Sequence, residues 1–294
     1  MMKASKSLER GILSSYDHQK LSIKLGYYLM NLIIVVMMCV MVYPLLISLF
    51  NGLKLNKEVN SFPPTFLPRD GWHFDNYKRA WEYIDLPKYL KNTMFIFGGN
   101  MIIIVIVIGF AAFALSKMKF PLRRGIYYYF LLTLFVPATT YAIPNFVNLK
   151  ELGLMGWYGA IWLPAGANAF YLLLLKTFMD GIHNETFESA RIDGASEIRT
   201  FFQIAFPLSI PIFATLAIFV FATAWNDWFW PNFMLGQDYK PLSAAIKVFV
   251  LDARRLDQNI KFAILTMVMF PPIIIFLFFQ KFILRGLYLG GVKG

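Results

Sequence analysis

Six long apolar runs punctuate the chain, at Gly26–Phe50, Asn92–Ser116, Gly125–Phe146, Trp157–Phe178, Phe206–Trp230 and Phe262–Ile283. A helix needs about 20 apolar residues to cross about 30 Å of hydrocarbon. The pattern therefore predicts an all-α, polytopic membrane protein of six transmembrane helices. Pro137, Pro144 and Pro164 interrupt the third and fourth runs. Proline is tolerated in spans where neighbouring groups re-satisfy the freed backbone. The first run is long enough to span, so it reads as a retained anchor and not as a cleaved leader. The layout is a polar tail over 1–24, a transmembrane domain over 25–284 and a short tail over 285–294. Polar stretches at 51–91, 179–205 and 231–261 separate the runs.

Composition agrees with the runs. Hydrophobic residues make up 58% of the 294 and charged ones 15%, against about 25% charged in soluble domains. The single cysteine, Cys39, excludes a disulfide scaffold. The net charge of +11 is a topology signal before it is a nucleic-acid signal. Lys3, Lys6, Arg10, Lys20 and Lys24 mark the N-terminal tail. Lys117, Lys119, Arg123 and Arg124 mark the connection after the second run, and Lys281, Arg285 and Lys293 mark the C-terminus. The positive-inside bias puts these three regions, and so both termini, in the cytoplasm.

The spans are poor in the ionisable groups that carriers use as relays. Asp227 is their one clear acid, and His18, His73 and His183 fall in loops. No GxxxxGK[ST] loop, HExxH, GxSxG or CxxC is present, so no cofactor, metal or catalytic group is expected on this chain.

Segment 179–205 is the exception among the inner loops, with five acids against Arg191 and Arg199. Phe187, Ala190, Ala195, Ile198, Phe201 or Phe202, and Ala205 recur at helical spacing. Gly194 predicts a bend between two short helices or the close approach of a partner. Surface-seeking helices carry Lys and Arg on the polar face, so this acidic one suits a protein partner better than an anionic membrane.

The segment resembles the EAA loop of ABC importer permeases. Glu188-Ser189-Ala190, Gly194, Ile204 and Pro207 stand at that motif's spacing, with Ser189 in place of Ala and Phe206 in place of Leu. RIDGAS (191–196), AWNDWFWP (224–231) and the ending QKFILRGLYLGGVKG (280–294) are similar to carbohydrate permeases of the smaller maltose type. The resemblance implies a subunit of a bacterial inner-membrane, binding-protein-dependent sugar or oligosaccharide importer. It also implies a second, related permease, two ATPase subunits that hold ATP and Mg, an external solute-binding protein and surrounding lipid, with no nucleic acid. Glu188, Ala190 and Gly194 would face the ATPase, although Ala190 and Gly194 also suit packing within the chain. Asp193 would cap or fix the bend. Ile204 and Pro207 would join the loop to the fifth span, with Pro207 in its first turn.

For the sugar path, Trp225, Asn226, Asp227, Trp228 and Trp230 combine aromatic faces with hydrogen-bonding groups. Tryptophan equally suits the interfacial aromatic belt. Tyr141, Asn145 and Asn168 are further polar candidates. Arg254 and Arg255 would attract an acidic partner or an anionic sugar, or be merely solvated. An ABC permease for another solute, such as a phosphorylated polyol or a peptide, and an ATP-independent carrier are the alternatives.

Overall fold

The computed structural model describes residues 21–291, with side chains over 23–278. The predicted basic tail (Lys3, Lys6, Arg10, Lys20) and Lys293 lie outside the described residues, as do the side chains of Lys281 and Arg285. All regular structure among the described residues is helical, apart from one isolated bridge between Gly156 and Leu235.

The chain divides into two compact units. The first holds residues up to Lys78 and returns with Asp257–Met267. Its main element is α1 (Leu21–Gly52), followed by α2 (Asn56–Val59) and the start of α3 (Asp75–Tyr83). Leu25 to Leu45 of α1 are exposed on nearly every side. Twenty-one helical residues rise about 31 Å, the thickness of a bilayer core. Above that stretch the helix end is tied down by a buried polar knot. Asn76 Nδ2 donates to the carbonyls of Gly52 (3.0 Å) and Lys54 (2.9 Å), and Asn259 Nδ2 donates to Lys54 O (3.1 Å). The Gly52 carbonyl is one that a helix C-terminus leaves without an intrahelical partner, and the Lys54 carbonyl follows just beyond the helix. The fully buried Lys54 donates to Asn51 Oδ1 and Thr65 O.

The second unit holds the rest. It begins with α4 (Leu86–Ile103), a π-helical turn (Ile104–Ile108) and α5 (Gly109–Lys117), which together form one apolar helix long enough to span. Next come α6 (Arg123–Thr133), α7 (Ala142–Glu151), α8 (Gly159–Ala165) and α9 (Ala169–Asp180). After these lie α10 (Glu185–Ile192), α11 (Glu197–Thr200), a π turn (Phe201–Ala205), α12 (Phe206–Leu208), α13 (Ile210–Asn226) and α14 (Phe229–Met234). α15 (Leu242–Ile246) runs into a third π turn (Lys247–Leu251), and α16 (Gln258–Gly291), of which the residues up to Met267 belong to the first unit, ends the described chain.

Among the described residues, three helices are long and apolar enough to cross a membrane, and counting each of two bent pairs as one span brings the number to five. The bends lie between α8 and α9 (44°) and between α12 and α13 (77°). The third apolar run is not one helix. It splits into α6 and α7 around Pro137, whose ring cannot donate to a helical ladder and disfavours α geometry at Val136. Pro207 sits in α12, ahead of the 77° turn, and Pro211 occupies the first turn of α13.

A large core cluster lies in the second unit, with smaller ones beside it. Ile104, Ile108 and Phe113 pack with Leu175 and Met179 of α9, Phe187 of α10, Phe201 and Leu216. On another face, Gly99 lies so close to the Trp162 ring that an added Cβ would overlap it. Close helix approach of this kind is what small residues supply in membrane proteins.

Candidate functional site

Two places in the second unit collect the sequence-predicted residues. One is the bent segment after α9, and the other is a cavity walled by α4, α7, α8, α9, α13 and α14.

The bend is built locally. Gly194 takes φ +78°, a left-handed conformation that costs glycine little. Gly194 N donates to Arg191 O (3.1 Å) and Ala195 N to Ala190 O (3.0 Å), which is the Schellman closure of α10. Ser196 then caps α11, its Oγ accepting from Arg199 N (3.3 Å). The Asp193 carboxylate has no hydrogen-bond partner among the described residues, so Gly194 and Ser196 fix the bend and Asp193 only ends α10.

Phe187 and Phe201 anchor the two arms in the core. Glu188, Ser189, Asp193 and Gly194 are exposed, and Ala190 is half-buried. Ile204 is half-buried and Pro207 exposed where the segment leads toward α13. Helical spacing places Ile198 on the apolar face with Phe187. The structure turns it outward instead, because the left-handed glycine breaks the register between α10 and α11. Ile198 is 65% exposed and Ile192 85% exposed, two apolar knobs flanking the bend.

Polar contacts brace the segment against α5. Arg191 Nε donates to Glu197 Oε1 (2.8 Å) and its Nη2 to Glu197 Oε2 (3.2 Å) and to Lys117 O (3.1 Å). Glu197 pushes the Arg191 guanidinium above its ordinary, already high pKa. The buried Lys117 ammonium donates to Ile182 O (2.6 Å) and Asn184 Oδ1 (2.9 Å). Arg123 donates to the carbonyls of Leu115, Ser116 and Met118, closing the C-terminus of α5.

The cavity encloses about 500 Å³. Asn100 faces it from α4 and Ile104 from the π turn beside it. Tyr141 and Asn145 contribute from the start of α7, and Asn168 from the bend between α8 and α9. Asp227 and Trp230 close it from the α13–α14 junction. Two of these polar groups are held by the local backbone. Asn168 Oδ1 caps α9 by accepting from Tyr171 N (3.0 Å), and Asp227 Oδ1 accepts from Phe229 N (3.0 Å) and Trp230 N (3.2 Å).

The structure brings Tyr141, Asn145, Asn168, Asp227 and Trp230 together and leaves three candidates out. Asn226 Nδ2 donates back to Ala222 O (2.8 Å) in its own helix. Trp225 packs on Phe221 with ring centres 5.4 Å apart, and the exposed Trp228 carries Lys247 Nζ over its ring. Three polar cavity residues escaped the sequence reading: Asn100, Tyr171 and Thr223. Asn100 had a legible signal, since it is an amide inside the second apolar run and polar groups there are expensive and usually functional. Its Oδ1 is buried without a hydrogen-bond partner.

The two places lie at different levels of the second unit. The N-terminal end of α4 meets the 238–240 loop, where Asn92 Nδ2 donates to Asp238 O (2.8 Å) and Lys240 O (2.9 Å). Lys88 pairs with Asp238 (2.7 Å) and holds its carboxyl below the usual range. At the far end of the same long helix, Lys117 and Ser116 meet the α9–α10 connection, with Ser116 Oγ 2.7 Å from Asp180 Oδ1. No group of three or more His, Cys, Asp or Glu among the described residues is placed to hold a metal.

The sequence profile described as "Binding-protein-dependent transport system inner membrane component" matches residues 104–287. The "Diacetylchitobiose uptake system permease protein NgcG" of Streptomyces coelicolor is 29% identical, over 82% of this chain and 81% of its own length. The "Melibiose/raffinose/stachyose import permease protein MelC" of Bacillus subtilis is 30% identical, over 90% and 96%. The "Polygalacturonan/rhamnogalacturonan transport system permease protein YtcP" of the same organism is 30% identical, over 72% and 82%. Among solved structures, a chain of a bacterial ABC transporter involved in the import of the acidic polysaccharide alginate superposes with a TM-score of 0.79. It is 23% identical and covers 92% of this chain and 99% of that one. That likeness concerns the fold.

Proposed function

The chain belongs to the binding-protein-dependent transport system inner membrane components, and from that membership we propose how its two sites divide the work. It is a permease subunit of an ABC importer, a transport component and not an enzyme. Its substrate is a sugar or oligosaccharide, as the names of its relatives suggest. Those names include both neutral and acidic carbohydrates, so they leave the charge of the substrate open.

The cavity forms this chain's share of the sugar path, and the bend at Gly194 docks on an ATPase. Glu188, free of side-chain hydrogen bonds among the described residues, offers a carboxylate to a basic partner residue, and Ile192 and Ile198 offer apolar contact. Ser189, Ala190 and Gly194 keep the surface between them low. Two ATPase subunits, carrying ATP and Mg, close and draw the bends together. A second, related permease completes the path, and an external binding protein delivers the sugar. Both termini lie in the cytoplasm of a bacterial inner membrane crossed six times, with the third crossing made by the broken pair α6 and α7.

The observation that carries this reading is the single core between the two sites. Phe187 and Phe201 at the bend belong to the same packed cluster as Ile104 and Val220, which also line the cavity. Close-packed interiors transmit displacement and do not absorb it. Movement of the bend therefore reaches the cavity wall, and the π turn at Ile104 is an irregularity of the kind often found at functional sites.

The test is purification of the chain with its native partners. An ATPase should co-purify, and its turnover should rise on adding the binding protein. Sugar uptake by the chain alone, without ATP, would overturn the proposal.

A further inference from the structure

The chemistry of the cavity wall bears on the charge of the sugar, which family membership leaves open. The inference rests on reading the cavity as part of the sugar path. The wall presents amides (Asn100, Asn145, Asn168), hydroxyls (Tyr141, Tyr171, Thr223) and the Trp230 ring. Amides and hydroxyls both donate and accept, which matches the neutral hydroxyls of a carbohydrate. Among the described residues that line the cavity there is no Lys, Arg or His, and the one ionisable acid is Asp227.

We propose that this cavity admits neutral, hydroxyl-rich sugars and rejects uronates and sugar phosphates. A carboxylate or phosphate lying against this wall would lose part of its hydration and meet no counter-charge from this chain, which is costly for an ion taken out of water. It would also face the Asp227 carboxylate, and like-charge juxtaposition adds to the penalty. Asp227 Oδ1 is taken by two backbone N–H groups, but a carboxylate has about four lone-pair sites and so keeps acceptors for sugar hydroxyls.

The basic residues of the segment after α14 stand outside the cavity. Lys247 pairs with Asp252 at 2.8 Å, and Lys240 Nζ donates to Asn232 Oδ1 at 2.8 Å. Neither lines the cavity. Arg254 and Arg255 do not line it either. The first turn of α9 opens beside Asn168, and helix N-termini favour anions. Here the Tyr171 N–H is already satisfied by the Asn168 side chain. The volume of about 500 Å³ lies within the range of about 300–1,000 Å³ usual for small-molecule sites.

The experiment uses the assembled importer in detergent without its binding protein, so that the delivery step does not set the selectivity. Neutral di- and trisaccharides and oligogalacturonides of the same length are compared by calorimetry. The neutral set should bind at least about tenfold more tightly, a difference of about 1.4 kcal/mol. Equal or tighter binding of the oligogalacturonides would overturn the inference, and so would failure of every neutral sugar to bind. Asn145→Arg and, separately, Thr223→Arg place a guanidinium on two different walls. Either should raise oligogalacturonide affinity, since arginine pairs with carboxylates bidentately. A binding pattern unchanged in both assembled variants puts the sugar elsewhere and also overturns it. Stimulation of ATP turnover by the binding protein, measured on the same preparation, tests the importer reading separately.

Discussion

Gly194 and Asp227 show how single residues set the two sites. An added Cβ at Gly194 would meet nothing within 4 Å, so the cost of Gly194→Ala comes from backbone strain alone. A left-handed L-residue costs roughly 1–2 kcal/mol, and asparagine tolerates that region better than alanine. Gly194→Asn should therefore keep more coupled transport than Gly194→Ala, measured as uptake per ATP hydrolysed. Gly194→Asp combines strain with charge and cannot separate bending from docking. Asp227 caps α14 as well as facing the cavity. Asp227→Ala should lower the thermal midpoint through loss of a cap worth about 1 kcal/mol, whereas Asp227→Asn, an equivalent cap, should hold it.

At the scale of elements, the connection 117–124 shows how much was legible. Its four basic residues read from sequence as a topology mark. The structure gives Lys117 and Arg123 a mechanical role as well, because they tie the end of α5 to itself and to the α9–α10 connection. Lys117→Met leaves Ile182 O and Asn184 Oδ1 without their donor. Ile182 is half-buried and Asn184 exposed, so water can replace part of the loss and the cost is about 1 kcal/mol; an importer assembled with this variant should show weaker stimulation of ATP turnover by the binding protein. At the other end of the same helix, the Lys88–Asp238 pair depends on pH. The Asp238 pKa is lowered on folding, so its contribution is present above the ordinary carboxylate range. It is lost as pH falls through the lowered value. Hydrogen exchange of the 236–240 loop should rise in that acid window and not near neutrality. The elements themselves were largely visible in the apolar runs. The break between α6 and α7 had a mark in Pro137, but the 77° turn before α13 was not visible, because run length counts apolar residues without fixing where the backbone turns. For the cavity, proximity in sequence misled: Asn226 and Trp228 flank Asp227 in the chain but face away. Asn100 comes from a span more than 100 residues earlier, and no local pattern joins it to Asp227.

For the whole molecule, the account turns on one continuous core joining an exposed bend to the wall of the cavity. Ile192 is the cleanest point at which to break the proposed docking without disturbing that core. It is 85% exposed, and substitutions at such surface positions usually shift stability by no more than about 0.5 kcal/mol. The direct measurement is ATP-driven sugar uptake into proteoliposomes holding the full importer and its binding protein, with wild-type chain compared against Ile192→Asp. The variant should insert and assemble with its partner permease, yet uptake should fall to background and ATP turnover should cease to respond to the binding protein. Wild-type uptake and stimulation in Ile192→Asp would contradict docking at the bend, and with it the proposed link between the two sites.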